Sequence, residues 1–179
     1  MRWRNDAAHF GLVSRVIHWA MALLIVAMLI LGTRLANLQP GLANLWLYGL
    51  HKTGGFTVLS LVLLRLIWHR ISPPPAPIGP PDAWTNRAAR VAHGLIYLLL
   101  IAIPLAGWIA SSATGIEVMF ADRWVIPPIA PVSEAWEYWG FFAHGVLTKV
   151  LMAVLGLHVL AALRRGWQRD GTLRRMISG

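Results

Sequence analysis

The sequence contains no cysteine and few charged residues: only 13% of its 179 residues are Asp, Glu, Lys or Arg. Without cysteine, the chain cannot attach haem through thioethers, ligate an iron–sulfur cluster through thiolates, form a disulfide or use a thiol nucleophile. A soluble domain of this length needs more charge on its surface, whereas here 57% of the residues are hydrophobic and the mean hydropathy is +0.58. These values indicate an integral membrane protein with little mass outside the bilayer.

Acidic residues are the scarcer charged class, with seven against 16 basic ones and a net charge of +9. Such a balance is also found in nucleic-acid-binding proteins, but the basic residues here form no single patch in the sequence. They lie at the ends of apolar segments, where they are typical of residues that orient a protein in a membrane. We therefore expect contact with membrane lipid and no nucleic-acid partner.

Four apolar stretches are long enough to cross a bilayer, which requires roughly 20 helical residues at about 1.5 Å each. They cover about residues 12–33, 46–68, 91–111 and 140–163. The second connection ("SPPPAPIGPPDAWTNR") is rich in proline and is predicted to be an extended loop, while the third is the longest and carries four of the seven acids. The predicted fold is all-α, an integral membrane four-helix bundle that forms a single domain over residues 1–179.

The distribution of basic residues predicts the orientation of the bundle. The N-terminal segment, the second connection and the C-terminal tail carry twelve of the 16, and the opposite side carries Arg34, Lys52, Arg123 and Lys149. Because Lys and Arg concentrate on the cytoplasmic side of membrane proteins, both termini are predicted to lie in the cytoplasm.

The last apolar stretch contains "HGVLTKVLMAVLGLH", an almost wholly apolar segment with a histidine at each end. Fourteen helical residues rise about 21 Å and return to nearly the same face, so His144 and His158 lie near opposite surfaces of the bilayer. A lone intramembrane histidine is more often hydrogen-bonded to a neighbouring helix than ligated. Here, however, His51 matches His144 in depth at the outer side, and His18 and His93 match His158 at the inner side.

Two opposed imidazoles at one depth are the axial ligands of a six-coordinate b-type haem, so two such levels predict two haems in the bundle. Copper or zinc would need a third or fourth ligand, and the helices offer no cysteine and no acid at these depths. His9 precedes the first helix, and His69 lies beside Arg65 and Arg70, where we expect a solvated interfacial role.

The inner level has three candidate histidines for two ligand positions. A porphyrin needs small residues three or four positions from its ligand on the same helix face. Ala22 satisfies this for His18, whereas Ile96 and Tyr97 occupy the corresponding positions for His93. This spacing weakly favours His18 as the partner of His158, although small residues also serve ordinary helix packing.

Four segments of the chain, "RVIHW", "LHKTGG", "AHGLIYLLL" and "HGVLTKVLMAVLGLHVLAAL", resemble the prokaryotic cytochrome b561 family of di-haem membrane cytochromes. The resemblance extends over essentially the whole chain. It implies that His18 and His158 hold the haem on the cytoplasmic side, and that His51 and His144 hold the outer haem. It leaves His93 free of iron, near a quinone or a haem propionate, and implies a location in the bacterial inner membrane.

Compact members of this family resemble the bacterial superoxide oxidase, which oxidises superoxide at the periplasmic face and reduces ubiquinone. The same activity is expected here, with two haem b groups as cofactors and ubiquinone as the electron acceptor. Lys52 and Lys149 are candidates for attracting the superoxide anion, although pairing with propionates or lipid headgroups explains them equally well. Acids in the neighbouring loop argue mildly against strong attraction of anions.

At the inner side, His93, Arg90 and Arg15 are candidates for binding quinone or a propionate, and anchoring to anionic lipid explains the two arginines at least as well. The alternative function is a cytochrome b subunit that relays electrons between a partner dehydrogenase or hydrogenase and the quinone pool. In that case the long outer loop would be the docking surface for the redox partner. A haem-free structural or transport bundle is disfavoured by the level-matched histidines.

Overall fold

The computed structural model describes residues 2–80 and 82–178 and is built around four long helices. These are α1 Leu12–Ala36, α2 Leu45–Ile71, α3 Trp84–Ala113 and α4 Glu134–Trp167. All four are long and apolar enough to cross a membrane. The predicted all-α membrane bundle is therefore confirmed, while the predicted domain limits, residues 1 and 179, lie outside the described part of the chain.

Each helix is longer than the apolar stretch that predicted it. Helix α3 begins at Trp84 rather than at residue 91, and α4 begins at Glu134 rather than at residue 140. The first turn of α4 carries Glu134 and Glu137, whose negative charges are stabilised by the positive end of the helix dipole. Helical turns that are polar and aromatic extend a helix into the headgroup region. The end of such a helix therefore lies beyond the end of its apolar stretch.

The core of the bundle is narrow and its outer surface is apolar. Buried side chains include Met21, Val62, Leu99 and Leu151, and Val62 is fully buried. Many large apolar side chains point outward along the spans, among them Leu23, Leu98 and Leu157. In a bilayer these side chains contact lipid, so the hydrophobic surface requires no protein partner to cover it. Small residues let the helices approach closely, since a Cβ at Gly140 of α4 would lie 2.8 Å from the Cβ of Ala110 in α3.

The N-terminal segment, the proline-rich connection and the C-terminal helix α5 (Thr172–Ile177) meet at one end of the bundle, here named the arginine-rich end. The backbone N–H of Asn5 donates to Ser72 Oγ at 2.8 Å, and Arg15 donates to the carbonyl of Ile177 at 2.8 Å. Arg175 donates to the carbonyl of Ala76 at 3.0 Å. These bonds bring together the three segments that carry most of the basic residues, although which membrane face they occupy stays a prediction.

The opposite end, here named the hairpin end, carries a two-stranded sheet that the sequence did not predict. Strands β1 (Val118–Phe120) and β2 (Trp124–Ile126) pair antiparallel, with Met119 opposite Val125. The turn between them places Ala121 and Asp122 at φ values of 53° and 50°, in the left-handed region. The hairpin lies against α2, because the backbone N–H of Ala121 donates to Thr53 Oγ1 at 2.9 Å.

Candidate functional site

His51 on α2 and His144 on α4 face each other near the hairpin end. Their ring centroids are 6.0 Å apart and the rings are inclined at 76°. Two imidazoles that share one metal ion through bonds of about 2 Å would place their ring centroids roughly 6 Å apart. The pair, named the outer pair below, therefore has the separation that a shared metal ion requires.

The ring of His144 is held in one tautomer. Its Nδ1 lies 2.9 Å from the carbonyl oxygen of Ile103 on α3, and a carbonyl can only accept, so Nδ1 carries the hydrogen. The lone pair of the neutral ring is then on Nε2. Gly107, one turn after Ile103, makes this approach possible, because a Cβ there would lie 3.0 Å from His144 Nδ1. A second partner that fixes the ring and leaves Nε2 basic is typical of metal-binding histidines.

The ring of His51 lies directly on α1. A Cβ at Gly32 would be 3.1 Å from His51 Cε1, so a larger residue there would require the ring to shift by a few tenths of an ångström. His51 Nδ1 is buried and has no hydrogen-bond partner among the described residues. A buried ring nitrogen without a partner is costly, and a metal ion bound at that nitrogen would offset the cost. Of the two glycines that follow, Gly54 packs on Met28, while Gly55 leaves open space on its face of the helix.

The inner level brings three histidines from three helices together, and they are named the inner cluster below. The rings of His93 (α3) and His158 (α4) are in contact, with centroids 5.1 Å apart and an inclination of 67°. His18 (α1) lies near both, and its Nδ1 is 3.0 Å from a terminal nitrogen of Arg65. The sequence predicts His18 rather than His93 opposite His158. Among the described residues, the ring that contacts His158 is that of His93, and the choice of ligand stays a prediction.

Arg65 is the functional candidate that the sequence analysis missed. It lies on α2 among the inner cluster, and its guanidinium carbon is 5.8 Å from the centroid of the Tyr97 ring. A signal for it was present, because Arg65 follows His51 by the same fourteen residues that separate His144 from His158. Helices α2 and α4 thus each carry two polar residues, one at the outer level and one at the inner level, on nearly the same helix face.

The other predicted residues lie in less enclosed positions. Lys52 is half-buried beside His51, whereas Lys149 is on the exposed face of α4. Arg15 is tied to α5 through Ile177, and Arg90 is exposed. His93 is more exposed than the other histidines of the two levels.

His69 differs from the expected solvated role. It is half-buried, its Nδ1 lies 3.5 Å from the hydroxyl oxygen of Tyr97, and its Nε2 is buried without a partner among the described residues. Tyr97 lies one helical turn after His93 and keeps this ring at the margin of the inner cluster.

The donor set as a whole fits b-type haem. Histidines from facing helices meet at two levels, glycines leave the rings of the outer pair in contact with bare backbone, and a buried ring nitrogen lacks a partner. Neutral imidazole is the axial ligand that such haems use in bundles without cysteine. His144 has the required tautomer already in place.

Comparisons with known proteins agree with this geometry. The family model described as prokaryotic cytochrome b561 matches residues 9–179. Cytochrome b561 homolog 2 of Escherichia coli (strain K12) is 28% identical over 99% of this chain and 95% of its own length. Cytochrome b561 homolog 1 of the same strain is 29% identical over 94% of this chain and 96% of its own length. A protein named probable superoxide oxidase CybB, from Yersinia pestis, is 29% identical over 90% of this chain and 91% of its own length.

The family match spans all four membrane helices and both groups of histidines. Members of this family are multi-pass proteins of the bacterial inner membrane that transfer electrons through b-type haem, which agrees with the four spans and with the donor set described above. The chain therefore belongs to the prokaryotic cytochrome b561 family of transmembrane electron-transfer proteins.

Proposed function

We propose that residues 1–179 act as one unit that oxidises superoxide at the hairpin end and reduces ubiquinone at the arginine-rich end. The arginine-rich end faces the cytoplasm in this proposal, in keeping with the distribution of basic residues. In the overall reaction, two superoxide anions each lose one electron and leave as dioxygen, and one quinone takes up two electrons and two protons. The name of the Yersinia pestis relative supports superoxide as the donor.

The observation that carries the proposal is the presence of imidazoles at two depths of one bundle. The outer pair and the inner cluster are separated by fourteen residues of α4, which corresponds to about 21 Å of helix. A bound haem b takes up and releases a single electron at its iron. Two such groups, one per level, would connect the two membrane faces.

The chain supplies the ligands and fixes their orientation. His51 and His144 would hold the haem at the hairpin end, where the Ile103 carbonyl keeps His144 Nε2 free for iron. At the arginine-rich end, His18 and His158 would hold the second haem, as the resemblance of the "RVIHW" segment implies. The ring contact between His93 and His158 favours the alternative in which His93 replaces His18.

His93 suits the quinone better than the iron in one respect. His93 is an exposed residue of α3, so a quinone dissolved in the bilayer could reach it from the lipid side. A histidine there can donate a hydrogen bond to a quinone carbonyl and deliver a proton to the reduced oxygen. Arg90, one turn earlier on α3, and Arg15, near the start of α1, would place positive charge at the same end, beside the quinone or a propionate.

At the hairpin end, Lys52 and Lys149 would raise the local concentration of superoxide. Lys52 follows His51 directly and is half-buried, so its charge acts close to the outer pair, whereas Lys149 is on the exposed face of α4. A negative charge on the hairpin reduces this attraction, because Asp122 lies against Gly49, one helical turn before Lys52. A Cβ at Gly49 would be 2.6 Å from Asp122 Oδ1.

The first prediction concerns the number of haems and their ligands. The pyridine haemochrome assay should give about two haems per chain, all extractable with acid-acetone because the chain has no cysteine to attach them. His51→Ala and His144→Ala should each remove the same spectroscopic component, and His18→Ala and His158→Ala the other. His93→Ala should keep both haems low-spin and slow quinone reduction. Loss of a haem in His93→Ala together with two haems in His18→Ala would show that His93 is the ligand.

The second prediction concerns the partner of His144. Gly107→Ala places a methyl group against Nδ1 and should break the bond to Ile103, so the outer haem should dissociate about 10- to 100-fold more readily, as for other second partners of metal-binding histidines. Transfer of haem to apomyoglobin measures this rate. Gly94→Ala is the matched control on α3, since a Cβ there meets nothing within 4 Å. Equal rates in the two variants would exclude the proposed role of the Ile103 carbonyl.

The third prediction concerns attraction of the anion. Lys52→Gln should lower the second-order rate of haem reduction by superoxide by roughly two- to fivefold, and Asp122→Asn should raise it, because each changes the local potential by one charge. Both effects should shrink with salt, as charges are screened over about 8 Å at physiological ionic strength. Stopped-flow mixing of the oxidised protein with superoxide measures the rate.

Lys149→Gln tests whether the exposed lysine on α4 also contributes to the rate of reduction by superoxide. All three variants should bind the wild-type amount of haem. If superoxide fails to reduce the wild-type haem faster than it disproportionates, the oxidase proposal is lost. The relay subunit would then be the better account, and the hairpin end the place to search for its partner.

A further inference from the structure

Arg65 is a membrane-embedded cation, and no ion pair joins it to an acidic residue in the described part of the chain. Its Nε atom is fully buried and has no hydrogen-bond partner among the described residues. The ion pairs in residues 2–80 and 82–178 join Arg2 to Asp6, His9 to Asp6 and Arg165 to Asp170, and none of them includes Arg65. Guanidinium stays charged under all ordinary conditions, and a charge inside a bilayer is stable only with a partner of opposite sign or access to water.

The contact between Arg65 and His18 depends on the tautomer of the histidine. A guanidinium has only donors, so His18 Nδ1, 3.0 Å away, must accept, and the ring hydrogen is then on Nε2. That tautomer has no lone pair on Nε2 for iron. If His18 binds iron through Nε2, Nδ1 carries the hydrogen, and two donors would face each other across the same contact.

Ligation of iron by His18 would therefore remove His18 Nδ1 as an acceptor for Arg65. The guanidinium would keep its hydrogen bond with Tyr97, and its other described neighbours at the inner level are His93, His158 and His69. None of these carries a negative charge at neutral pH. A haem b brings two carboxylates of its own, and a carboxylate matches the two-pronged donor geometry of arginine.

We propose that Arg65 binds a carboxylate side group of the haem at the arginine-rich end and exchanges His18 for this partner when the haem is bound. The inference rests on the proposed function in one respect, the ligation of iron by His18. Arg65 acts as a positioning and charge-balancing residue, and a neutral quinone carbonyl would not neutralise it. Its positive charge also favours the reduced haem, because reduction adds a negative charge nearby.

The test compares Arg65→Gln with Arg65→Lys and with Arg70→Gln in the haem-loaded protein. Arg70 lies on the same helix, is exposed, and loses the same charge when replaced by glutamine, so it is the matched control. The haem carboxylates are labelled with ¹³C, and the reduced-minus-oxidised infrared difference spectrum is recorded. The label identifies the bands of the haem carboxylates among those of the protein.

Arg65→Gln should shift the labelled carboxylate bands, and Arg70→Gln should leave them in place. The inner haem is identified as the one that His158→Ala removes. In a redox titration, Arg65→Gln should make reduction of this haem about tenfold less favourable, which lowers its reduction potential by about 59 mV for one electron. Arg65→Lys should recover most of the potential but still shift the bands, because lysine offers a point charge instead of a planar fork.

Unchanged bands in Arg65→Gln would overturn the proposal, and a raised KM for quinone in the same variant would then assign Arg65 to the quinone. If Arg65→Gln does not accumulate as folded protein, Arg65→Lys decides alone, since bands at the wild-type position in that variant contradict a haem carboxylate partner. If His18→Ala keeps both haems low-spin, the ligand assignment fails first, and Arg65 retains His18 as its acceptor. The two failures are therefore distinguishable. Two low-spin haems in His18→Ala contradict the ligand assignment, whereas loss of a haem in His18→Ala together with unchanged bands in Arg65→Gln contradicts only the proposal for Arg65.

Discussion

An imidazole inside a bilayer must satisfy both ring nitrogens, and this constraint governs the bundle at two depths. At the hairpin end, His144 donates from Nδ1 to the Ile103 carbonyl at 2.9 Å, and its remaining nitrogen needs an electron-pair acceptor. His51 has a buried Nδ1 without a partner among the described residues. In hydrocarbon, water cannot supply what is missing. A metal ion bound to His144 Nε2 and to the ring of His51 would use a lone pair of each ring and tie α2 to α4.

Glycine positions show how the helices accommodate this constraint. The ring of His51 packs against Gly32 of α1, and the ring of His144 packs against Gly107 of α3. A Cβ at either glycine would lie within 3.1 Å of the ring, so the absence of a side chain allows both close contacts. The inner cluster is arranged differently, because a cation occupies the position on α2 that corresponds to His51. Lys52 also places a positive charge beside the outer pair, so each level has a cation nearby, and a positive charge raises the affinity of its own level for an electron.

The sequence predicted the four spans because the length of an apolar run is set by the thickness of the bilayer. It did not predict their ends, since α3 begins at Trp84 in a segment whose polar residues carry no apolar signal. Strands β1 and β2 were also missed, because they are three residues long and depend on contacts such as Ala121 with Thr53. Depth alone grouped His51 with His144 and His93 with His158, whose rings are in contact in the structure, yet it could not choose between His18 and His93. That choice depends on the orientation of the rings and on the contact of His18 with Arg65, and the spacing of histidines in the sequence contains neither.

The central claim, that electrons cross the bilayer through two centres in series, is tested most directly in closed vesicles. The protein is reconstituted into quinone-free lipid vesicles that contain trapped ferricyanide, and dithionite, which does not cross the membrane, is added outside. The account predicts rapid consumption of the trapped oxidant by the wild-type protein. It also predicts that His144→Ala and His158→Ala each fall to the rate of protein-free vesicles, because one centre cannot span the distance. Sustained transfer in either variant would contradict a path through both levels.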